Sequence, residues 1–311
     1  MDFENTILTR RVLCLFILTF AVTSISLFIN QASHAQVSNL ACRLIQITDG
    51  SEDSQDPFVC GNGAGVLFES NADLLNNGHA NQTDLFFADL SNPSNPVFYQ
   101  LTNSPSTDDF ISSSISDDCT KIAIGTTQNL TNNANDKPQL FYGDISDLNN
   151  PVYTQLTNNT DDGEFFPSQI SGDGTKIGFS SSLDIEMMNP TMSFNYFIFD
   201  INNDVSPFGS VTNNTDGGSF SNTPHLSSDG SRYVTTASAN FVPPNQNPLD
   251  VRQFYLAELT YNPPALPTST LFQITNNTTD SPNTSDLSDQ GISGNGQVVS
   301  FTSAYNLTGM N

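Results

Sequence analysis

One stretch of sequence is written over and over in this chain, and that repetition limits the fold more than any single residue does. A polar–apolar–Thr triplet stands at Gln46-Ile47-Thr48, Gln100-Leu101-Thr102, Gln155-Leu156-Thr157, Ser210-Val211-Thr212 and Gln273-Ile274-Thr275. A tight-turn mark of Gly, Asp and Asn stands at Gly61-Asn62-Gly63, Asp117-Asp118, Gly172-Asp173-Gly174, Ser228-Asp229-Gly230 and Gly294-Asn295-Gly296. The period is about 55 residues, stretched to about 65 in the last interval, a length at which one supersecondary unit stacks on the next.

Each unit reads as four short strands. In the third copy, strand A is residues 166–171, and a turn rich in residues that tolerate positive φ joins it to strand B, 176–180. Strand C, 196–201, is aromatic and β-branched, with equivalents at 85–90, 140–145 and 254–259. Strand D is 209–212. Pro93, Pro96, Pro151, Pro207, Pro263, Pro264 and Pro267 all fall between C and D, where a missing N–H is tolerated.

The run strand, Ser/Cys-x-Asp/Asn-Gly, then Ile/Val-x-Phe-x-Ser, an aromatic strand ending in Asp-Ile/Leu, and Leu-Thr resembles the TolB-type β-propeller repeat over about residues 43–303. The resemblance implies an all-β fold, a β-propeller of four-stranded antiparallel blades with four full blades and an incomplete fifth. The expected blades are 49–102, 103–157, 158–212, 213–275 and a partial 276–311, with 43–48 a lone N-terminal strand. No α/β domain precedes the blades, so a role in TolB's own complex is not carried over. The fifth copy stops at Asn311 without strand C. Three accounts stay open: a truncated longer propeller, an open array, or strands donated by a partner. An open edge also invites strand-edge self-association.

Residues 1–35 read as a secretory signal: Arg10 and Arg11, an apolar run over 12–29, and Ser33-His34-Ala35 before the cut. Cleavage places the mature domain, 36–311, in the periplasm or outside the cell, with no stable membrane insertion. A retained anchor is the alternative. The chain holds 8 Lys+Arg against 32 Asp+Glu, a net charge of −24. Without basic clusters to neutralise phosphate it is not expected to bind nucleic acid; a basic protein partner or a cation suits it better.

Blade topology sorts the loops. D-to-A links and B–C loops leave one end of each blade, A–B and C–D turns the other. Most acids fall at the first end, in loops of the kind that carry binding. Asp161, Asp162 and Asp216 are the candidate metal ligands, in the runs 158–163 and 213–218, and calcium is the cation that oxygen donors of this kind take. The plainer reading makes these loops Asx turns. Cys42, Cys60 and Cys119 remain after the signal is removed. Cys60 ends strand A of blade one and Cys119 sits in the A–B turn of blade two, making Cys60–Cys119 the expected disulfide; three unpaired thiols are the alternative.

No catalytic residues are assigned. His79 and His225 fall in different blades, and no nucleophile elbow or zinc-protease helix occurs. The expectation is a secreted or periplasmic, non-enzymatic binding or scaffold module with no cofactor, using its acidic loop face to contact a protein partner or cation. The alternatives are a carbohydrate-active propeller (a glycoside hydrolase or lyase) and a calcium-stabilised surface protein.

Overall fold

The structure is a computed structural model and describes residues 45–49, 52–78, 82–103, 111–131, 137–163, 165–214, 220–241, 251–277 and 287–303. The chain divides into two compact units, Met1–Gln46 and Ile47–Asn311, and the blades all lie in the second. The expected signal segment, residues 1–35, lies outside the described residues.

Four repeats fold as four-stranded antiparallel meanders. Blade one is β1 (Ser54–Val59), β2 (Gly65–Ser70), β3 (Asp84–Asp89) and β4 (Val97–Gln100). Blade two is β5 (Ile111–Ile115), β6 (Lys121–Thr126), β7 (Gln139–Asp144) and β8 (Val152–Gln155). Blade three is β9 (Phe165–Ile170), β10 (Lys176–Ser181), β11 (Asn195–Asp200) and β12 (Phe208–Ser210). Blade four is β13 (Phe220–Leu226), β14 (Arg232–Ala237), β15 (Gln253–Thr260) and β16 (Thr268–Gln273). The fifth repeat contributes β17 (Leu287–Ile292) and β18 (Val299–Ser303), paired with each other.

Two side-chain devices explain the repeated marks. In blades one to four the Thr of the triplet stands two residues past strand D and clamps the start of strand C. Thr157 Oγ1 accepts from Leu140 N at 2.9 Å and donates to Gln139 Oε1 at 2.9 Å. Thr102, Thr212 and Thr275 make the same pair of bonds to strand C of their own blades. This is why strand D of blade three closes at Ser210, short of the expected 212, and why strand C starts one residue earlier than its aromatic core suggests.

The Ser before each turn is the second device. Ser171 Oγ donates to Asp173 Oδ1 at 2.6 Å and accepts from Lys176 N at 2.9 Å, and Ser116, Ser227 and Ser293 do the same in their blades. With its hydroxyl committed to the turn, Ser171 falls outside β9. Burial pushes the Asp173 carboxyl up, but the hydroxyls and backbone N–H of Ser171 and Thr175 outweigh it and hold the group below its ordinary value.

Core packing runs between blades rather than within them. Leu67, Leu85 and Leu101 of blade one bury against Ile115, Ile122, Ile124 and Phe141 of blade two. Ala123 and Leu140 of blade two bury against Ile177, Phe179 and Phe197 of blade three. Tyr196, Ile198 and Val211 of blade three bury against Tyr233 and Ala257 of blade four. Each such fully buried side chain contributes roughly 1.5–3 kcal/mol. Ile47 packs on Val66, Phe68, Phe86 and Ala88, the opposite side of blade one. It does so without strand geometry: residues 45–49 form no strand, a correction to the expected 43–48 strand, of which 43 and 44 lie outside the described residues. Ile47, Leu101, Leu156 and Val211, the apolar residues of the first four triplets, all pack into a core cluster, whereas Ile274 of the last is exposed.

Candidate functional site

The A strands of successive repeats lie side by side, β1 with β5, β5 with β9, β9 with β13 and β13 with β17. Residues of all five line one cavity of about 270 Å³. The strand position two residues before the turn supplies Phe58, Ser114, Gln169 and His225; the turns supply Asp117 and Ser228.

Neighbouring repeats are tied together around this cavity. Ser114 Oγ accepts from Ile170 N at 2.8 Å, and Gln169 Oε1 accepts from Leu226 N at 2.6 Å. That bond fixes the Gln169 amide, so its Nε2 donates to His225 Nδ1 at 3.1 Å, which assigns the imidazole proton to Nε2. Burial lowers the His225 pKa below its ordinary value and keeps the ring neutral at pH 7. At the turns, Asp117 N donates to Gly172 O at 2.9 Å and Gly172 N to Ser228 O at 2.7 Å. The Ser228 hydroxyl donates to the Asp117 carboxylate, linking blade four to blade two over the turn of blade three. A Cβ on Gly172 would fall 2.0 Å from Ser228 Oγ, so this crossing requires glycine there.

Outside the cavity, a basic side chain joins each turn to the next blade. Lys121 pairs with Asp144 at 2.5 Å and covers Gly174 of blade three; Lys176 pairs with Asp200 at 2.7 Å and covers Gly230 of blade four; Arg232 pairs with Glu258 at 2.8 Å and covers Gly296. The Lys121 ammonium, with help from Ser146, draws the Asp144 carboxyl down to about 2. Blades one and two lack this contact, since Gly65 stands where the Lys would be and Cys119 where the Gly would be, at φ 63°. There Cys60, in the place of the turn Ser, is disulfide-bonded to Cys119 with Cα atoms 5.3 Å apart.

Two of the three candidate metal ligands lie among the described residues. Asp162 is ion-paired with Lys137, Asp161 is exposed, and Asp216 lies outside the described residues. Among the described residues no three acidic, His or Cys side chains converge on a metal-sized site. Several acids of the expected binding face instead shape their own loops. Asp73 accepts from Asn77 N and Gly78 N, and Asp184 accepts from Asn189 N. Sequence reasoning placed the site on those loops and missed the cavity. The repeats do align at one strand-A position, which holds Phe58, Ser114, Gln169 and His225 in turn, but nothing in the chain says that these four side chains meet.

Four-stranded antiparallel meanders with their A strands side by side are the blades of a β-propeller. No family model and no curated protein matches the chain. Among solved structures it is similar to TolB from Acinetobacter baumannii, at 15% identity and TM-score 0.48, over 80% of this chain and 48% of that one. It is also similar to the β-propeller domain of the Trilobed protease from Pyrococcus furiosus, whose topology is described as open velcro, at 12% identity and TM-score 0.44, over 79% and 62%. A third similar structure is puromycin hydrolase, at 12% identity and TM-score 0.44, over 68% and 28%. The chain thus spans about half the length of TolB. The expectation that it is not an enzyme is corrected: puromycin hydrolase and the β-propeller domain of a protease are among the structures it is similar to. Among the described residues no helix is long and apolar enough to cross a membrane.

Proposed function

We propose that the chain is an exported, periplasmic propeller module that binds a protein partner, taking a short segment with a basic side chain into the cavity between the A strands. The observation that carries this reading is the cavity itself: apolar walls from Ile115, Ile170 and Leu226, polar groups from Gln169 and His225, and the exposed Asp117 carboxylate at its turn end. Such a mixture of apolar lining and a few fixed polar groups is the usual make-up of a binding pocket. The net charge of −24 adds long-range attraction for a basic segment.

The test is selection of displayed peptides on the mature chain, followed by titration of the winners against wild type and Asp117→Ala, with mass spectrometry of the peptides after incubation. Lys- or Arg-containing peptides that lose about tenfold in affinity with Asp117→Ala, and weaken with salt, support the reading. Enriched peptides indifferent to Asp117→Ala overturn it, and cleaved peptides replace binding with catalysis.

A further inference from the structure

Between blades one and two the apolar core gives way to oxygen atoms at the end where the B–C loops leave. Glu69 follows Leu67 by two residues on β2; Leu67 packs on blade two, so Glu69 faces the same way and is only 3% exposed. Ser113 precedes Ile115 by two on β5 and faces blade one, 2% exposed. Gln128 lies just past β6, 5% exposed, and its Nε2 donates to the Thr83 carbonyl of blade one at 3.0 Å. Glu69 Oε1, Ser113 Oγ and Gln128 Oε1 are each enclosed with no hydrogen-bond partner. The amide of Gln128 has its donor end committed, so its free atom can only accept, as can an ionised carboxylate. Buried acceptors left this way are costly unless a hydrogen-bond donor or a cation satisfies them.

The positions are distinctive within the repeat. Where blade one has Glu69, the next three blades have Gly125, Ser180 and Thr236; where blade two has Gln128, the others have Ala72, Leu183 and Ala239. Leu183 fills the core between blades two and three. The two large polar side chains therefore occur together at one blade boundary, in places that are small or apolar elsewhere. Asp56 stands at the bulge of β1, next to Gln55, the residue that pairs with Glu69.

We propose that this boundary binds a hard divalent cation, Ca²⁺ by preference, held by the Glu69 carboxylate, the Gln128 amide oxygen and the Ser113 hydroxyl, with Asp56 supplying the second negative charge. Carboxylate, amide and hydroxyl oxygens are the donor set such ions take, and two carboxylates balance a double charge. Asp56 is the charged group facing Glu69 from β1; β3 places Leu85 opposite it.

The experiment uses the full mature chain, melted in EDTA and in Ca²⁺, Mg²⁺ or Na⁺ at pH 8 and pH 6, with calorimetric titration of Ca²⁺. Ca²⁺ raises the melting temperature at pH 8 and gives a saturable binding isotherm, and Na⁺ does neither. Glu69→Gln abolishes the Ca²⁺ shift while melting no lower than wild type in EDTA. Three results overturn the proposal: no cation response at pH 8, a response that survives Glu69→Gln, or a melting temperature that follows pH alone, which would make a proton the occupant.

Discussion

Replacing the disulfide with the repeat's own turn residues isolates what the cross-link contributes. The double variant Cys60→Ser/Cys119→Gly restores the Ser and Gly that the other turns use. The closed loop spans 59 residues, and freeing it returns ~4 kcal/mol of chain entropy to the unfolded state. Two gains offset part of this. Glycine at the φ 63° position removes ~1 kcal/mol of left-handed strain. A serine hydroxyl also regains the turn hydrogen bonds that Ser116 and Ser171 make. The expected net loss is ~3 kcal/mol, about 6–12 °C in melting temperature for a domain of this size. The assay is thermal unfolding followed by circular dichroism, on wild type with and without reductant and on the double variant. A double variant melting within ~2 °C of wild type would refute the reasoning, as would a wild type indifferent to reductant, because either result means the boundary between blades one and two is held by packing alone.

Three further outcomes follow from named contacts. Thr157→Val leaves Leu140 N without its acceptor, while Gln139 Oε1 keeps the bond from Asn159 N, and lowers stability by ~1–3 kcal/mol in urea unfolding, whereas Thr157→Ser stays close to wild type. Lys176→Ala strands the buried Asp200 carboxylate and costs ~3–5 kcal/mol; adding Asp200→Asn recovers part of that loss in a double-mutant cycle. The folded-state pKa of His225 is depressed by burial, so the unfolded chain takes up the proton first on acidification. Its contribution to stability is full above the ordinary histidine value and is lost as pH falls through the folded-state value. His225→Gln removes that slope from urea unfolding series between pH 7.5 and 5, and an unchanged slope rules the burial argument out.

The five-fold repetition, the four-stranded blade and the apolar faces were all legible in the chain, because each is local. Alternation sets which side chains share a face, turn residues set where strands reverse, and a Thr seventeen residues or so beyond the start of strand C finds its partners within its own blade. The cavity was not legible in the same way. Ser114, Gln169 and His225 are each unremarkable strand residues about 55 positions apart, and only the stacking of strand A on strand A brings them to one wall. The acidic loops misled for the complementary reason: Asp73 and Asp184 look like ligands in sequence, but short-range bonds to backbone N–H groups take up their oxygens. Composition and spacing thus determined the architecture, while through-space convergence between blades decided where chemistry can occur. Local hydrogen bonds reward proximity in the chain, whereas a binding site requires proximity in space, and only packed blades supply it.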